Sequence, residues 1–387
     1  MPNKTISLIA VFLCLILPYH GYSQCGNVGS RNPCEELLST GCTVPSGEKI
    51  IRVVVHIVLP DPKVISDSDI REQIELLDHA FNGTLPTINS LLDPLRVNSN
   101  IKFEIADNSY GGKAITRTYY NGKKFLLNTS SSIPTGIVGT IQGKRNIGTI
   151  ERIKETKAGG HDPWDTERYL NIWVGDIASR NENGVINEDL VGFAHYPWAF
   201  NKLWRKKSKV DGVVVDTSAF GPGMTTLVHE VGHYFGLLHP WDNGSGFGNC
   251  CNDCLGDTPD QYQASNNCGG TCSIPFKPSS SETCPGTTID EDLGQAFYNF
   301  MDFAQEDLRC LFTPGQVERM LCNFGPSGSR QDLLLPPPIQ SGAGDGAEPN
   351  DNLPSAPEIT YQANPLNQIG DDMDRSIRFS SSIGKSN

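Results

Sequence analysis

The fold of this chain is decided by one stretch, His229-Glu230-Val231-Gly232-His233-Tyr234-Phe235-Gly236-Leu237-Leu238-His239. On a helix, His229 and His233 leave one face a turn apart, so both imidazoles can bind a single zinc ion. Gly236 can adopt a backbone conformation that ends the helix and turns the chain, which brings His239 to the same ion. Three imidazoles leave the fourth zinc position open for water, and Glu230 lies beside that face as a candidate general base. The stretch predicts a hydrolytic zinc site.

A second informative stretch is Asn299-Phe300-Met301-Asp302-Phe303. A tight turn that carries Met301 beneath a three-histidine zinc site would support the ligands with a soft apolar floor. The turn pattern is weak alone, but it gains weight because it follows the zinc motif. A buried helix with space-filling histidines is the alternative for the first stretch, and the glycine and third histidine argue against it.

The residues around these stretches predict an α+β fold with a mixed sheet of about five strands. The helix that backs the sheet should begin with a capping box formed by Ser66 and Asp69, and the zinc helix should be capped by Thr225 or Thr226. Thr313, Pro314 and Gln316 begin a last helix that runs to about Cys322. Runs of β-branched or alternating apolar residues predict strands at 51–59, 101–106, 169–174, 190–195 and 212–216. The strand at 190–195 could be an exposed edge that pairs with an extended peptide.

The N-terminus and the composition predict an exported protein. Residues 1–23 have the basic start, the short apolar run and the small residues of a signal peptide. The net charge of −13 argues against nucleic acid or an anionic membrane as a partner. A hydrolytic site with a strand that can pair with an extended peptide predicts protein or peptide substrates. A chain of 387 residues can bury one large core plus appendages.

The 12 cysteines fall into groups. Cys14 leaves with the signal peptide, and eight cysteines between 250 and 322 predict four disulfides that staple a loop-rich C-terminal part. A structural zinc at Cys250, Cys251 and Cys254 is the alternative. The group of Cys25, Cys34 and Cys42 is odd in number. A free thiolate among them could bind the zinc and keep the enzyme latent, which makes 24–48 a propeptide; an intermolecular or mispaired cysteine is the alternative.

The chain resembles the metzincin metallopeptidases, and among them the pappalysins, which include pregnancy-associated plasma protein-A and bacterial relatives. The resemblance covers residues 51–322. Besides the zinc motif and the methionine turn, it rests on the strand at 52–58, Val191-Gly192-Phe193-Ala194 with Pro197, Asp211-Gly212-Val213-Val214-Val215, Asp257-Thr258-Pro259 and Phe312-Thr313-x-Gly315-Gln316.

The resemblance implies a metzincin-type catalytic domain with roles for individual residues. It implies that His229, His233 and His239 bind zinc, that Glu230 activates water, that Met301 forms the Met-turn and that Cys25 blocks the zinc of a zymogen. It also implies disulfides between Cys284 and Cys310 and between Cys250 or Cys251 and Cys272. Structural calcium near Asp253, Asp257 and Thr258 is implied as well. Some relatives prefer a basic residue after the cut, and Glu306 or Asp307 is the candidate for the matching pocket charge.

One position departs from the family pattern. Relatives carry a tyrosine two residues after the Met-turn methionine, where its hydroxyl can approach the metal or the tetrahedral intermediate; this chain has Phe303. A phenyl ring cannot donate that hydrogen bond, and the loss of one such donor can cost on the order of 10²-fold in rate. Another group must replace it, or activity is reduced.

The sequence therefore predicts a secreted zinc endopeptidase made as a latent zymogen. The predicted divisions are a signal peptide at 1–23, a propeptide at 24–48, a catalytic domain at 49–324 and a disordered tail at 325–387, where the composition becomes rich in Pro, Gly and Ser. The alternative function is a non-catalytic, zinc-stabilised module that binds proteins in the same cleft. Phe303 motivates that alternative, and the intact Glu230 argues against it.

Overall fold

The structure is a computed structural model. It describes residues 24–29, 42–106, 113–128, 138–139, 149–181, 183–199, 209–241, 253–259, 261, 264–265, 274, 294–326, 328–336, 362–363 and 377–378. At 24–29, 138–139, 362–363 and 377–378 only the backbone is described. The predicted signal peptide and the predicted Cys250 or Cys251 to Cys272 disulfide lie outside these residues.

The described residues form thirteen strands and three α-helices. Among them, no helix has the length and apolar content needed to cross a lipid bilayer. In chain order the elements are β1 Gln24–Gly29, β2 Lys49–Leu59, α1 Asp67–Phe81, β3 Ile101–Ile105, β4 Ile115–Tyr119, β5 Phe125–Asn128, β6 Val138–Gly139, β7 Leu170–Gly175, β8 Ile177–Arg180, β9 Ile186–Asn187, β10 Leu190–His195, β11 Val213–Asp216, α2 Thr226–Tyr234, α3 Pro314–Cys322, β12 Gln362–Ala363 and β13 Ile377–Arg378.

The main sheet has eight strands in the order β3-β2-β7-β11-β10-β1-β6, with β4 also paired to β2. Strands β3, β2, β7 and β11 are parallel, and β10 runs antiparallel to β11. The five predicted strands are the contiguous block from β3 to β10, which confirms the α+β class. Strands β5, β8 and β9 form a separate small sheet.

Helices α1 and α2 cover the sheet because each buries an apolar stripe. Helix α1 begins at the predicted capping box, in which Ser66 and Asp69 bind each other's backbone amides. Its buried residues join one core with Val53, Val55, Val231 and Met301. Rings from distant segments meet in this core, where Phe81 lies 5.0 Å from Phe312 and 5.8 Å from Phe235 between centroids.

The packed domain continues beyond the predicted start of the tail. Arg330 is 2% exposed and forms a buried ion pair with Asp211, and its guanidinium lies 3.6 Å from the centre of the Tyr234 ring. Leu333 is also buried. The described segment that ends at residue 336 is therefore part of the folded body, because an arginine and a leucine anchor it to the sheet and to α2.

The cysteine pairing differs from the prediction. Cys322 forms a disulfide with Cys42, 280 residues away, so it does not pair within the C-terminal group. The pairing is possible because the Thr43 carbonyl packs against Gly325, just beyond the end of α3. Cys254 is disulfide-bonded, which argues against its use as a thiolate ligand of a structural zinc.

Cys310 is a free, buried thiol, so the predicted Cys284–Cys310 bond is wrong in this structure. It lies in an apolar cluster with Leu92, Phe297 and Leu311, where burial raises the pKa of the thiol. The residue therefore serves as a small hydrophobic side chain.

Candidate active site

The three predicted zinc ligands converge at the end of α2. His229 and His233 lie in the helix, which ends at Tyr234. Gly236 then has a φ of 97°, a left-handed conformation that suits glycine, and the chain turns so that His239 faces the helix. The Nε2 atom of His233 lies 3.0 Å from each of the other two Nε2 atoms, which are 3.3 Å apart.

The orientation of these rings suits a bound cation. His229 Nδ1 donates to the Phe300 carbonyl at 2.7 Å, and His233 Nδ1 donates to the Leu237 carbonyl at 2.7 Å. A carbonyl only accepts, so both Nδ1 atoms carry the proton and both Nε2 lone pairs face the shared centre. Tetrahedral zinc bonded to nitrogen at 2.0–2.1 Å requires ligand atoms roughly 3.3–3.4 Å apart, close to the spacing found.

The burial of the site favours the neutral form of His229 and His233. All three histidines are at most 2% exposed. Burial, followed by the neighbouring imidazoles, lowers the pKa of His229 and of His233 well below the usual value. Neutral imidazole is the form that binds metal. Among the described residues, this triad is the group of three or more His, Cys, Asp or Glu side chains that could hold a metal ion.

Glu230 of α2 lies against strand β10. It is fully buried, and neither carboxylate oxygen has a hydrogen-bonding partner among the described residues. Burial raises its pKa well above the usual value, although the nearby Arg309 acts in the opposite direction. Its Oε1 atom lies against Gly192 of β10, where an added Cβ would come within 2.2 Å. A buried carboxyl with unused oxygens suits a group that exchanges protons with a reactant.

Met301 lies beneath the helix, as predicted for a Met-turn. It is fully buried, with its sulfur against Gly232 of α2. The next residue, Asp302, is also buried and accepts hydrogen bonds from Gln261 at 2.8 Å and from the Ser265 amide at 2.9 Å. These bonds tie the turn to the segment around 261–265.

Aromatic rings surround the triad, and Phe303 is one of them. Its ring centroid lies 4.8 Å from that of His239 and 5.6 Å from that of His229. Trp241 stacks on His239 with an interplanar angle of 2°, and Tyr196 meets the His233 ring edge-on at 5.5 Å. Phe303 thus packs directly on two of the predicted ligands, at the position where relatives have tyrosine.

The start of α2 is not capped as predicted. Thr225 is the N-cap residue, but its side chain does not cap the helix. Glu306, which follows the Met-turn, accepts hydrogen bonds from the Thr225 amide, from the Thr225 hydroxyl at 2.6 Å and from the Thr226 hydroxyl at 2.5 Å. Arg309 pairs with the same carboxylate at 2.7 Å. Two residues were candidates for the acidic side chain of the specificity pocket. The Glu306 carboxylate is engaged by Arg309 and the two threonines, whereas Asp307 is exposed.

The candidate calcium residues do not form a carboxylate cluster in the described part of the chain. Asp253 accepts from the Thr258 hydroxyl, whereas Asp257 accepts from the Gly315 amide at 2.6 Å at the start of α3. The Arg319 guanidinium binds the carbonyls of residues 253 and 254, and this positive charge disfavours a nearby cation. Burial raises the pKa of Asp253 to about 6.

The segment that contains Cys25 lies along the site. Strand β1 pairs in parallel with β10, and the register places Cys25 opposite Gly192, the residue that contacts Glu230. On its other side, β10 pairs with β11, so β1 covers the edge of β10 that faces away from β11.

Several site residues were not predicted from the sequence. Trp241 and Arg309 carry no motif of their own, and Gly192 was noted only as part of a family motif. The i,i+3 spacing of Glu306 and Arg309 is a signal that could have indicated their ion pair.

Comparison with known proteins agrees with this geometry. The model of the family described as pregnancy-associated plasma protein-A, peptidase M43, matches residues 155–324. An extracellular metalloprotease of Arthroderma benhamiae is 26% identical over 208 residues, which are 52% of this chain and 60% of that protein. Human pappalysin-1 is 32% identical over 163 residues, which are 41% of this chain and 9% of that protein. The chain therefore spans 60% or less of these curated relatives.

Solved structures match over more of the chain. Mirolysin in complex with compound 9 is 30% identical with a TM-score of 0.56, and the match covers 75% of this chain and 97% of that one. A Tannerella forsythia promirolysin mutant is 28% identical with a TM-score of 0.56 and coverages of 80% and 97%. Mature mirolysin with a cleaved peptide is 29% identical with a TM-score of 0.54 and coverages of 75% and 97%.

The fold is that of a metzincin metallopeptidase. Within that class, the chain belongs to the pappalysin family, peptidase M43.

Proposed function

We propose that this protein is a zinc endopeptidase that hydrolyses peptide bonds in proteins. The observation that carries the proposal is the arrangement of the triad with Glu230. The imidazoles of His229, His233 and His239 place their Nε2 atoms around one centre, and the same helix carries a buried carboxyl whose oxygens have no hydrogen-bonding partner among the described residues. A purely structural metal site has no need of that carboxyl.

The residues fit a hydrolytic reaction. Zinc held by His229, His233 and His239 would supply Lewis-acid polarisation of the scissile carbonyl and of water. Glu230 accepts a proton from the attacking water as the new C–O bond forms. The same carboxyl then gives the proton to the departing amine nitrogen as the C–N bond breaks.

The substrate would bind as an additional strand on β10. Strand β10 pairs with β11 along one edge and with β1 along the other, so a substrate strand would take the place of β1, next to Gly192 and its contact with Glu230. Main-chain hydrogen bonds to that edge would hold an extended peptide whatever its sequence. The mature form of mirolysin has been solved with a cleaved peptide, which supports a peptide substrate here.

The proposed latency follows from the position of β1. A substrate strand and β1 cannot both pair with the same edge of β10, so residues 24–29 would exclude the substrate while they remain there. The register opposite Gly192 supports Cys25 as the residue that blocks the zinc. The Cys25→Ser variant separates two causes of latency: activity without processing would identify the thiolate as the block, and persistent latency would identify the pairing of β1 with β10.

We further propose export and N-terminal processing. The signal peptide at 1–23 and the propeptide at 24–48 keep their predicted limits in this proposal, with the catalytic domain beginning at 49 and its packed part extended to residue 336. The extracellular relatives support secretion.

The proposal includes a preference for a basic residue after the cut. Asp307 is the exposed candidate for the pocket charge, because Arg309 neutralises Glu306. Calcium has no support among the described residues, so zinc is the metal of this proposal.

The decisive experiment measures cleavage of a proteome-derived peptide library by the processed protein. Glu230→Ala and Glu230→Gln should abolish cleavage while the bound zinc remains, and a chelator should abolish it until zinc is returned. A folded, zinc-loaded wild type that cuts nothing above the Glu230→Ala background would refute the proposal. The protein would then be the non-catalytic binding module.

A further inference from the structure

The segment 299–309, which contains the Met-turn and is called the Met-turn loop below, contacts α2 at two places. The Phe300 carbonyl accepts from His229 Nδ1 at 2.7 Å, part-way along the helix. Glu306 accepts from the Thr225 amide and from both threonine hydroxyls at the helix start. Two attachment points fix how far the helix can slide or tilt against the loop. The position of His229 is therefore fixed by two contacts, one to its imidazole ring and one to the start of its helix.

Arg309 completes the second attachment. Its guanidinium pairs with the Glu306 carboxylate at 2.7 Å and donates to the Asp302 carbonyl at 3.4 Å. The Arg309 side chain is 7% exposed and that of Glu306 is 31% exposed, so the arginine side of this pair is shielded from water. Burial alone would raise the pKa of the Glu306 carboxyl, but Arg309 and the threonines outweigh it and hold the pKa below its usual value.

These contacts leave Glu306 poorly suited to bind a basic substrate side chain. Its Oε1 atom accepts from Thr226, and its Oε2 atom accepts from Thr225 and pairs with Arg309. The positive charge of Arg309 would repel a lysine or arginine side chain of a substrate, and Arg309 already pairs with this carboxylate. A negative charge at a helix N-terminus is also favoured by the helix dipole.

We propose that Glu306 is a positioning residue of the metal site. Together with Arg309 it fixes the start of α2 to the Met-turn loop, and it thereby orients the imidazole of His229 toward the metal. The inference rests on the proposed zinc site, but it does not require turnover. Loss of groups that orient metal ligands typically weakens metal affinity 10- to 100-fold.

The test measures zinc affinity by competition with a chelator, together with the visible spectrum of the Co(II)-substituted full-length protein. Glu306→Gln keeps the shape but presents an amide to Arg309 and the Thr225 amide, and we expect zinc affinity about 10-fold weaker and a shifted Co(II) band. Thr226→Val removes one donor and should give a smaller change in the same direction. The matched control, Asp307→Asn, alters the adjacent exposed carboxylate and should change neither quantity.

The outcomes separate the two roles of Glu306. Unchanged zinc affinity and Co(II) spectrum in Glu306→Gln would overturn the proposal, and a lost preference for a basic residue after the cut would then identify a pocket charge. Should Glu306→Gln fail to fold, unchanged affinity in Thr226→Val would overturn it as well. Failure of the wild type to bind zinc would instead refute the proposed function.

Discussion

At the scale of single residues, the contact between Gly192 and Glu230 constrains the proposed general base. A Cβ at position 192 would lie 2.2 Å from Glu230 Oε1, so Gly192→Ala should displace the carboxyl. We expect kcat/KM to fall on the order of 10²-fold, the lower range for loss of general-base catalysis, with zinc content unchanged. Steady-state kinetics and metal analysis measure both. Gly221→Ala is the control, since its Cβ would enter open space. Full activity in Gly192→Ala would contradict the placement of Glu230.

Phe303 raises a second prediction at this scale. Its ring contacts those of His229 and His239, so a hydroxyl added there would lie close to the reaction centre. Phe303→Tyr should raise kcat, by up to about 10²-fold for a donor that stabilises the transition state, and change KM little. Phe303→Leu, which loosens the packing without adding a donor, should not raise kcat. Equal rates for wild type and Phe303→Tyr would mean that another group already supplies the donor.

At the scale of elements, sequence patterns predicted those parts of the fold that are locally encoded. Strand β2 is a β-branched run, and α1 and α3 begin with capping boxes. Strand β4, with the sequence ITRTY, was missed because it has few apolar residues and is stabilised by pairing with β2. Strand β9 is two residues long, which is too short to show the alternation of apolar and polar residues that indicates a strand.

The same limit applies to the site. The three histidines, Glu230 and Met301 lie within short motifs, so local spacing was enough to select them as candidates, and the structure brings the three histidines together. Glu306 and Thr225 are 81 residues apart in the sequence, and the local periodicity of a sequence does not predict contacts over such a separation. The predicted threonine cap failed because the hydroxyls of Thr225 and Thr226 donate to the distant Glu306 carboxylate instead.

One histidine links three strands and predicts how stability depends on pH. His56 of β2 hydrogen-bonds Thr116 of β4 at 2.8 Å and Asn171 of β7 at 3.1 Å. Burial, followed by the charge of His161, lowers its pKa to about 3, against 6.5 when unfolded. The unfolded chain therefore binds the proton more readily between these values, so the stability from neutral His56 is complete above about pH 6.5 and is lost progressively as pH falls toward 3.

The variant His56→Gln isolates this effect. Glutamine retains hydrogen-bonding groups but does not titrate, so the free energy of unfolding should depend less steeply on pH. The expected difference in slope is up to about 1.4 kcal/mol per pH unit between pH 5 and 6, which corresponds to the uptake of one proton on unfolding. Urea unfolding of both proteins at several pH values, each with a chelator, measures it. Parallel slopes would show that His56 is protonated in the folded state.

At the scale of the whole molecule, the Cys42–Cys322 disulfide joins the two ends of the catalytic body. It closes a loop across 280 residues. Such a bond restricts the unfolded chain, and its loss should cost on the order of 2–5 kcal/mol. The double variant Cys42→Ser, Cys322→Ser leaves no unpaired partner. It should lower the free energy of unfolding in urea by that amount, and an unchanged value would mean that packing of residues 42–43 on Gly325 suffices.

The same bond constrains activation, because Cys42 lies inside the predicted propeptide. A cut after residue 48 would break the chain but leave the piece that contains Cys42 attached to α3. A cut before residue 42 would leave residues 42–48 in the active enzyme. Under both schemes the active enzyme retains Cys42 until it is reduced, and the mass of the non-reduced enzyme should show this. Reduction should release a fragment only in the first scheme. An active, non-reduced enzyme that lacks Cys42 would contradict the Cys42–Cys322 disulfide, because the bond would have retained Cys42. The whole predicted propeptide, including β1, would then be released by proteolysis alone.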